Sequence, residues 1–414
     1  MKIWILTQTL IRRPGGVATH ARLLHQGLQF NGFESSLISL DLVPRTLLRL
    51  AVSVPLRLVN MVRSGSGVEW AVGMQSRLLS SLVQKRIAQE GKPDVFACQD
   101  TASVFAARAV QRRLALDAEV LLTVHSAYGY EKVAQGWAMP STAGERRILD
   151  MERKALLAAD LIVAVSEPMR AHVYALIGGS VRRTVVLPNA VDVERFSPAA
   201  SARQRRRCRR HFRLAEDVPV LLIAGNLLEV KGVPYAVEAA AILRDRGHDF
   251  RMVIAGDGPM RGQVDALIAR HRLDSHVRLL GVIGHDQMPA LLRAADVLVM
   301  PSIPTYRAEE SFGLSAVEAM ATGIPVVASR TGGLGDLVRD GQTGLVVPPA
   351  NVEELADALS LLLIDSEYRE SLGAAARDYA VSHHDHVAHA QQYASLAKNA
   401  VTPQTGAAVV RLAG

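Results

Sequence analysis

The feature that most constrains the fold is a regular alternation of short apolar runs with stretches of helical spacing. The runs are rich in Val, Ile and Leu and are long enough for strands but too short for helices. Runs that are apolar throughout are typical of strands buried on both faces of a parallel sheet covered by helices. The sequence therefore predicts an α/β fold with strands at residues 3–6, 37–40, 94–98, 120–124, 161–165, 185–187, 220–224, 252–255, 277–280, 297–300, 326–328 and 345–347.

Twelve strands are too many for one compact six-stranded sheet, and 414 residues are enough for two or three domains. A stretch containing Pro188, Pro198 and the small residues 199–202 marks the division. We expect two Rossmann-like, doubly wound domains that face each other across a cleft, where the carboxyl ends of the strands bind ligands. The predicted domains are residues 1–195 and residues 196–379.

Charge is distributed unevenly along the chain. Residues 1–214 carry 31 Lys and Arg against 16 Asp and Glu, a net charge of +15, whereas residues 215–414 carry 16 against 24, a net charge of −8. This asymmetry indicates an anionic partner for the first half. The densest run, seven arginines between Arg203 and Arg213, is interpreted as the solvated face of a linker helix. No motif typical of nucleic-acid binding accompanies it, so nucleic acid is not an expected partner.

The most apolar long stretch runs from Leu42 to Val62. Arg45, Arg49 and Arg57 interrupt it, so it does not predict a transmembrane helix, and Pro55 is expected to kink it. Two interpretations stay open. The stretch lies on an anionic membrane surface as an amphipathic helix, or it is an ordinary helix packed in the first domain.

The two cysteines, Cys98 and Cys208, cannot form a disulfide framework or a cysteine-based zinc site. The N-terminal residues lack a convincing secretory signal, since only four apolar residues follow Lys2. We therefore expect a cytoplasmic location, with peripheral association at the inner membrane face as the alternative that the stretch from Leu42 to Val62 leaves open.

Two glycine turns follow predicted strands. Gly15 and Gly16 precede a helical stretch, where glycine allows a phosphate to approach the backbone N–H groups of a helix start. Gly256 opens the sequence Gly-Asp-Gly-Pro after another strand. Neither turn is the G-x-G-x-x-G fingerprint of dinucleotide-binding folds, which disfavours an NAD-dependent enzyme.

The segment after residue 300 carries two acids eight positions apart, Glu310 and Glu318, with a helix predicted through Ala321. Eight helical positions span roughly 12 Å, close to the distance from a sugar ring across a diphosphate to a ribose. Glu310 would then hold hydroxyl groups at one end and Glu318 at the other. The alternative is that Glu310 is a surface acid and Glu318 an acid on the face of a helix.

The sequence from Glu310 to Glu318, ESFGLSAVE, resembles the E-x7-E region of glycosyltransferase family 4. Residues 225–232, GNLLEVKG, are similar to the family's G-R-L-x-x-x-K-G, and residues 256–259 to its G-x-G-P turn. The resemblance extends over residues 1–400 and is tightest from 158 to 350. It implies a GT-B architecture, with a C-terminal helix at about residues 380–400 that crosses back to the N-terminal domain.

The resemblance also implies an activity and residue roles. The family transfers a hexose from a UDP- or GDP-sugar, with retention of configuration, to an acceptor, here lipid-linked or a polysaccharide or other glycan. Glu310 would contact the sugar near the reacting centre, and His125 would meet the sugar from the opposite domain, unless His125 is a structural histidine. Residues implied to bind the donor are Gly15, Gly16, Asn226, Lys231, Gly256, Ile283, Phe312, Gly313, Leu314 and Glu318.

One departure keeps a second hypothesis open. Asn226 stands where the family usually has an arginine beside the lysine, and an amide cannot clamp a diphosphate as a charged pair does. Arg12, Arg13 or Arg330 could compensate; otherwise the chain would be a non-catalytic nucleotide-sugar binder or assembly subunit. The chain has no D-x-D pair, so neither a metal nor another cofactor is expected.

Overall fold

The computed structural model describes residues 1–12, 15–178, 183–306 and 308–401. The chain forms two compact units, the first made of Met1–Asn189 and the C-terminal segment from His386, the second of Ala190–Asp385. The predicted domain limits, after residue 195 and after residue 379, each lie six residues inside the second unit.

All twelve predicted strands form, six in each unit, within the part of the chain that the structure describes. Both sheets are parallel throughout. Ile3, Trp4, Ile5 and Leu6 are fully buried, which shows why these strands lack the alternation of a half-exposed sheet. The strands are β1 (Lys2–Thr7), β2 (Glu34–Ser39), β3 (Val95–Cys98), β4 (Glu119–Val124), β5 (Leu161–Ala164), β6 (Thr184–Val186), β7 (Val220–Ala224), β8 (Arg251–Ala255), β9 (Val277–Gly281), β10 (Val297–Met300), β11 (Val326–Ser329) and β12 (Gly344–Val347).

The strand orders are β2-β1-β3-β4-β5-β6 in the first unit and β12-β11-β10-β7-β8-β9 in the second. Counted from its own first strand, the second sheet has the doubly wound order 3-2-1-4-5-6, as predicted for a Rossmann-like domain. The order reverses between β1 and β3 in the first sheet and between β7 and β10 in the second. Such reversal points are where open parallel sheets bind ligands, beyond the carboxyl ends of the strands.

The first unit's sheet is covered by helices on both faces. Several helices begin where a side chain accepts a backbone N–H bond, as Asp100 does from Ser103. The helices are α1 (Gly16–Phe30), α2 (Arg45–Leu48), α3 (Val54–Val62), α4 (Ser66–Glu90), α5 (Thr101–Leu114), α6 (Tyr128–Ala134), α7 (Ala143–Ala158) and α8 (Glu167–Ile177).

The stretch from Leu42 to Val62 is not one kinked helix. A π-helical turn, Arg49–Ser53, joins α2 to α3. Pro55 lies in the first turn of α3, where a missing N–H costs no intrahelical bond, so the predicted kink at this proline is wrong.

The arginine-rich stretch forms the first helix of the second unit. The prediction that its arginines form a solvated face is only partly correct. Arg209 is buried; it donates to the carbonyl groups of Ala294, Ala215 and Val218, and its guanidinium lies 2.5 Å from the Asp296 carboxylate. The helices are α9 (Ala202–His211), α10 (Val233–Asp245), α11 (Arg261–Arg270), α12 (Met288–Ala294), α13 (Leu314–Ala321), α14 (Leu334–Leu337), α15 (Val352–Ile364) and α16 (Ser366–His384).

The last helix, α17 (His386–Val401), belongs to the first unit, as the resemblance implied for a C-terminal helix. Its Ala390 and Tyr393 are fully buried in one core cluster with Ala21, Leu24 and Leu28 of α1. The start of the chain and its last helix therefore share a hydrophobic core.

Candidate functional site

Most of the predicted donor-binding residues lie in loops at the carboxyl edge of the second sheet. Asn226 and Lys231 follow β7, Gly256 follows β8, Ile283 follows β9, and Glu310 follows β10. Since β7 and β10 are neighbours at the point where the strand order reverses, these loops meet where a doubly wound sheet binds ligands.

Lys231 closes a short 3-10 turn, Glu229–Lys231, and its ammonium group lies 2.5 Å from a carboxylate oxygen of Glu310. The turn packs tightly on the end of β10. A Cβ at Gly232, where φ is +59°, would lie 1.9 Å from the carbonyl oxygen of Pro301, so only glycine fits there. The N–H of Ile303 also donates to the carbonyl of Val230. Backbone packing therefore holds the lysine in reach of the glutamate.

Glu310 lies in the loop before α13 and is largely buried. Its carboxylate accepts hydrogen bonds from Lys231 and, at 3.3 Å, from the hydroxyl of Ser302. Its carbonyl accepts from the N–H of Gly333. The carboxylate is thus held by a cation and a hydroxyl group at the edge of the sheet.

The helix begins at Leu314, four residues after Glu310, so the estimate of roughly 12 Å between the two acids, which assumed eight helical positions, does not hold. Gly313 is the reason. It precedes the helix with φ of +92°, in the left-handed region that favours glycine, and this breaks the chain direction between the loop and the helix.

The start of α13 is fixed against the end of β7. The hydroxyl of Ser315 donates to the carbonyl of Ala224 at 3.0 Å, while the Phe312 side chain is buried and lies 5.7 Å from the ring of His384. The first N–H groups of a helix have no intrahelical partner and carry partial positive charge. The backbone at Gly313 and Leu314 therefore offers an anion site beside the Lys231–Glu310 pair.

Glu318 lies on α13 and is buried. Its carboxylate lies 3.9 Å from Nδ1 of His285, and the His285 carbonyl accepts a hydrogen bond from Arg195. His285 belongs to the same loop as Ile283, which is half-buried. The buried acid therefore lies beside an imidazole from a partly apolar loop.

The glycine turns in this unit serve close packing. A Cβ at Gly256 would lie 1.8 Å from the carbonyl oxygen of Gly225, so the loops after β7 and β8 lie directly against each other. Asn226, which follows Gly225, is exposed. Arg330 follows β11 at the same edge of the sheet and is also exposed, whereas Arg12 lies in the first unit and Arg13 is outside the described residues. Of the cations that could replace the family's arginine, Arg330 is the one in this unit.

The remaining predicted site residues lie in the first unit, at the carboxyl edge of its own sheet. Gly15 and Gly16 start α1 in open space, since a Cβ at either would meet no atom within 4 Å. His125 follows β4, and its ring centroid lies 4.7 Å from that of His20 on α1. The first turn of α1 therefore connects the glycine turn to His20, whose ring contacts that of His125.

His125 has a defined hydrogen-bonding role. Its Nε2 lies 2.9 Å from the side-chain oxygen of Gln99, whose amide nitrogen donates to the carbonyl of Ala97. The oxygen of Gln99 is thus the acceptor, Nε2 of His125 carries the proton, and Nδ1 keeps a lone pair. Burial, reinforced by His389, lowers the pKa of His125 to about 3, and burial together with His125 lowers the pKa of His20. Both imidazoles are therefore neutral at physiological pH.

The structure thus brings together Lys231, Glu310 and the start of α13, with Glu318 one turn further along that helix. The sequence analysis missed Ser302, His285 and Gln99. A general signal marks Gln99 and Ser302. Gln99 directly follows a buried strand, and Ser302 is the second residue after another. Among the described residues, no group of three or more His, Cys, Asp and Glu side chains is arranged to hold a metal ion.

Family comparisons agree with this division of the chain. The family model described as "Glycosyltransferase Family 4" matches residues 14–195, and that described as "Glycosyl transferases group 1" matches residues 204–379. A structure of Anabaena HepE in complex with UDP superposes with a TM-score of 0.69 at 19% identity, over 96% of this chain and 100% of that one. The two-domain α/β fold is the GT-B fold.

Relatives of similar sequence identify the family. The chain spans about half the length of the curated Streptomyces kanamyceticus relatives it matches, for example 54% of 2-deoxystreptamine glucosyltransferase, at 37% identity over 52% of this chain. A Mycobacterium tuberculosis protein, GDP-mannose-dependent alpha-(1-6)-phosphatidylinositol monomannoside mannosyltransferase, is 33% identical over 67% of this chain and 69% of its own. The chain therefore belongs to glycosyltransferase family 4.

Proposed function

We propose that the chain is a retaining hexosyltransferase that moves a hexose from a UDP- or GDP-sugar to a lipid-linked or polysaccharide acceptor. The observation that carries the proposal is the Lys231–Glu310 pair beside the start of α13 at the reversal point of the second sheet. It joins a cation, an acid and helix N–H groups where a diphosphate and a sugar can lie side by side. We further propose that the reaction takes place in the cytoplasm, at the inner membrane face.

The relatives support both donor classes. The mycobacterial relative is named for GDP-mannose, whereas the HepE structure contains UDP. The name of the mycobacterial relative also includes a phosphatidylinositol monomannoside, which supports a lipid-linked acceptor.

Donor binding exchanges one anion for another at Lys231. Without donor, the ammonium group contacts Glu310. With donor, the diphosphate occupies the space near Lys231 and the N–H groups of Gly313 and Leu314, and Glu310 becomes free to accept hydrogen bonds from sugar hydroxyls. Glu318 accepts from the ribose, near the base that Ile283 contacts.

Charge explains how these groups accelerate transfer. As the bond between the anomeric carbon and the phosphate oxygen breaks, negative charge grows on the diphosphate and positive character on the carbon. Lys231 and the start of α13 stabilise the diphosphate, and they are held in place before the reaction begins. His125 is neutral, so its Nδ1 can accept a hydrogen bond from a sugar or acceptor hydroxyl without adding charge.

Replacement of Glu310 tests the proposal. In Glu310→Gln, the volume is kept and the charge is lost, so we expect turnover to fall about 100-fold or more while donor still raises the melting temperature. The control is Glu309→Gln, a neighbouring acid whose side chain accepts from the N–H of Gly332. Equal turnover in wild type and Glu310→Gln would refute the role of this site.

Nuclear magnetic resonance of the product tests the stereochemistry. An anomeric configuration identical to that of the donor supports retention, and the opposite configuration contradicts it.

The second candidate, a non-catalytic nucleotide-sugar binder, is favoured by the exposed Asn226 in place of a second cation. A thermal-shift screen of UDP- and GDP-sugars, followed by turnover with lipid and polysaccharide acceptors, separates the two. Donor binding with no hydrolysis and no transfer would favour the binder.

A further inference from the structure

The most unusual surface of the described chain is formed by the segment that contains α2, the π-helical turn and α3. Among the described residues, sixteen large apolar side chains are exposed, and seven of them lie between Leu42 and Val62. The remaining nine are spread over the rest of both units. A cluster of this kind, unlike single exposed apolar residues, marks an interaction surface.

The exposed apolar residues form one stripe. They recur every three or four positions, the spacing that places side chains on one face of a helix. Leu50 is 68% exposed and Met61 is 83% exposed. The stripe consists of Leu47, Leu50, Val54, Leu58 and Met61.

The opposite face of the same segment is firmly packed. Val52 is buried, and the carbonyl of Ala51 accepts a hydrogen bond from the indole of Trp70 on α4. A Cβ at Gly67 would lie 2.1 Å from the carbonyl oxygen of Leu56, so α3 lies directly on α4. Asn60 joins the end of α3 to its surroundings by accepting from Gly65 and donating to Trp137. The apolar stripe is therefore a fixed outer face and not a core that has failed to close.

Charge indicates what covers this face. From Leu42 to Val68 the sequence contains four arginines and no Asp or Glu, and all four arginines are exposed: Arg45, Arg49, Arg57 and Arg63. A face that combines an apolar stripe with cations alone complements a bilayer whose headgroups are anionic. A nucleic acid would match the arginines but would leave the apolar stripe in water.

We propose that this face, which we call the α2–α3 face, inserts its apolar stripe into the surface of an anionic membrane. Arg45, Arg49, Arg57 and Arg63 contact the lipid phosphates, while Leu50, Leu58 and Met61 reach the acyl boundary. No helix among the described residues is long and apolar enough to cross a bilayer, so the contact is made at the surface. The inference deepens the proposed function, on which its biological meaning rests, because a surface-bound chain meets a lipid-linked acceptor directly.

Co-sedimentation of the full chain with vesicles tests this face. One vesicle set is phosphatidylcholine alone and the other is equal parts phosphatidylcholine and phosphatidylglycerol. We expect the wild type to bind the anionic vesicles and not the neutral ones. We expect Leu50→Ser/Leu58→Ser to lower the bound fraction about tenfold or more, since each leucine loses its burial in the bilayer.

The arginines are tested separately by Arg49→Gln/Arg57→Gln. Binding should fall about fivefold per arginine at low salt, and the dependence on salt should weaken. The matched control is Phe30→Ser/Ile364→Ser, which removes two apolar side chains that are 79% and 72% exposed elsewhere and should leave binding unchanged. If a leucine variant loses its native melting temperature, Met61→Ser/Val62→Ser replaces it, because both residues lie at the exposed end of α3.

Three results would overturn the inference: no binding of the wild type to anionic vesicles, equal binding to both vesicle sets, or unchanged binding of the leucine variant. Light scattering adds a fourth, since a dimer that becomes a monomer in the leucine variant assigns the face to a second copy of the chain. Donor hydrolysis without vesicles is measured on the same samples. Vesicle binding without any turnover refutes the proposed function alone, and turnover without vesicle binding refutes the α2–α3 face alone.

Discussion

The two units place different chemistry at corresponding positions. At the carboxyl edge of the second sheet, a lysine contacts an acid at 2.5 Å and a second acid is buried on the following helix. At the carboxyl edge of the first sheet, His125, His20 and Gln99 form a group of neutral side chains. The same strand-loop-helix pattern thus carries a charged pair in one unit and a neutral group in the other.

This difference fits the proposed reaction. A departing nucleoside diphosphate needs compensating charge, whereas an incoming hydroxyl group needs a hydrogen-bond acceptor of defined direction. Histidines whose pKa is low keep their lone pair at physiological pH. We therefore propose that the second unit stabilises charge and that the first positions the hydroxyl group.

The largest expected effect comes from removing the cation of the second unit. Lys231→Ala should lower turnover by about 100- to 1,000-fold, because the growing charge on the diphosphate loses a fixed counter-charge. Arg330→Ala should have a smaller effect, of about tenfold, if this exposed arginine compensates for Asn226. Steady-state kinetics measures both, with the exposed Lys154→Ala as control. Wild-type turnover in Lys231→Ala would contradict the proposal that the second unit stabilises charge on the diphosphate.

A smaller effect is expected from changing the neutral side chains of the first unit. Gln99→Glu places a carboxylate beside Nε2 of His125, which should raise the pKa of that imidazole, so turnover should fall at mildly acidic pH, where the wild-type imidazole stays neutral. The pH profile is the decisive measurement, since activity should recover as pH rises. Gln99→Leu, which removes the acceptor without adding charge, is the matched variant. A pH profile identical to that of the wild type in Gln99→Glu would show that His125 does not act through its protonation state.

The neutral histidines also predict a pH dependence of stability. Because the folded-state pKa of His20 and of His125 is lowered, the unfolded chain binds more protons, and the free energy of unfolding falls as pH drops below the unfolded pKa of about 6.5. The fall approaches about 1.4 kcal/mol per pH unit for each histidine and continues toward the folded pKa.

Urea unfolding between neutral and mildly acidic pH measures this slope. His125→Asn should reduce the slope of the free energy of unfolding against pH, whereas the same change at the exposed His383 should not. An unchanged slope in His125→Asn would contradict a buried neutral imidazole.

The smallest expected effect is that of metal removal. The chain has no D-x-D pair, and we assign the diphosphate to Lys231 and helix N–H groups, so EDTA should leave turnover unchanged. Loss of activity in EDTA that magnesium or manganese restores would show that a metal shares the charged site.

Much of this organisation could be predicted from the sequence. Continuous apolar runs predicted every strand among the described residues because burial on both faces removes polar residues. Family motifs predicted Lys231, Glu310 and Glu318 as site residues, and the first two are in contact. The spacing of Glu310 and Glu318 could not be predicted, since it depends on the left-handed conformation of Gly313 and on the Ser315 contact with β7. Gln99 and Ser302 were missed for a related reason. Gln99 contacts His125, which follows the neighbouring strand, and Ser302 contacts Glu310, which lies eight residues further along in the loop after β10.

The packing of α17 against α1 has a consequence for biosynthesis. Ala390 and Tyr393 complete the core around Ala21 and Leu24, so the chain must be synthesised through α17 before the first unit can acquire its final core. The intervening unit is free to fold meanwhile, in contrast to the usual sequence in which the N-terminal domain matures first. A fragment ending at residue 189 would leave these α1 side chains uncovered, and dividing the protein into two independently produced halves would require residues 386–401 to be supplied with the first.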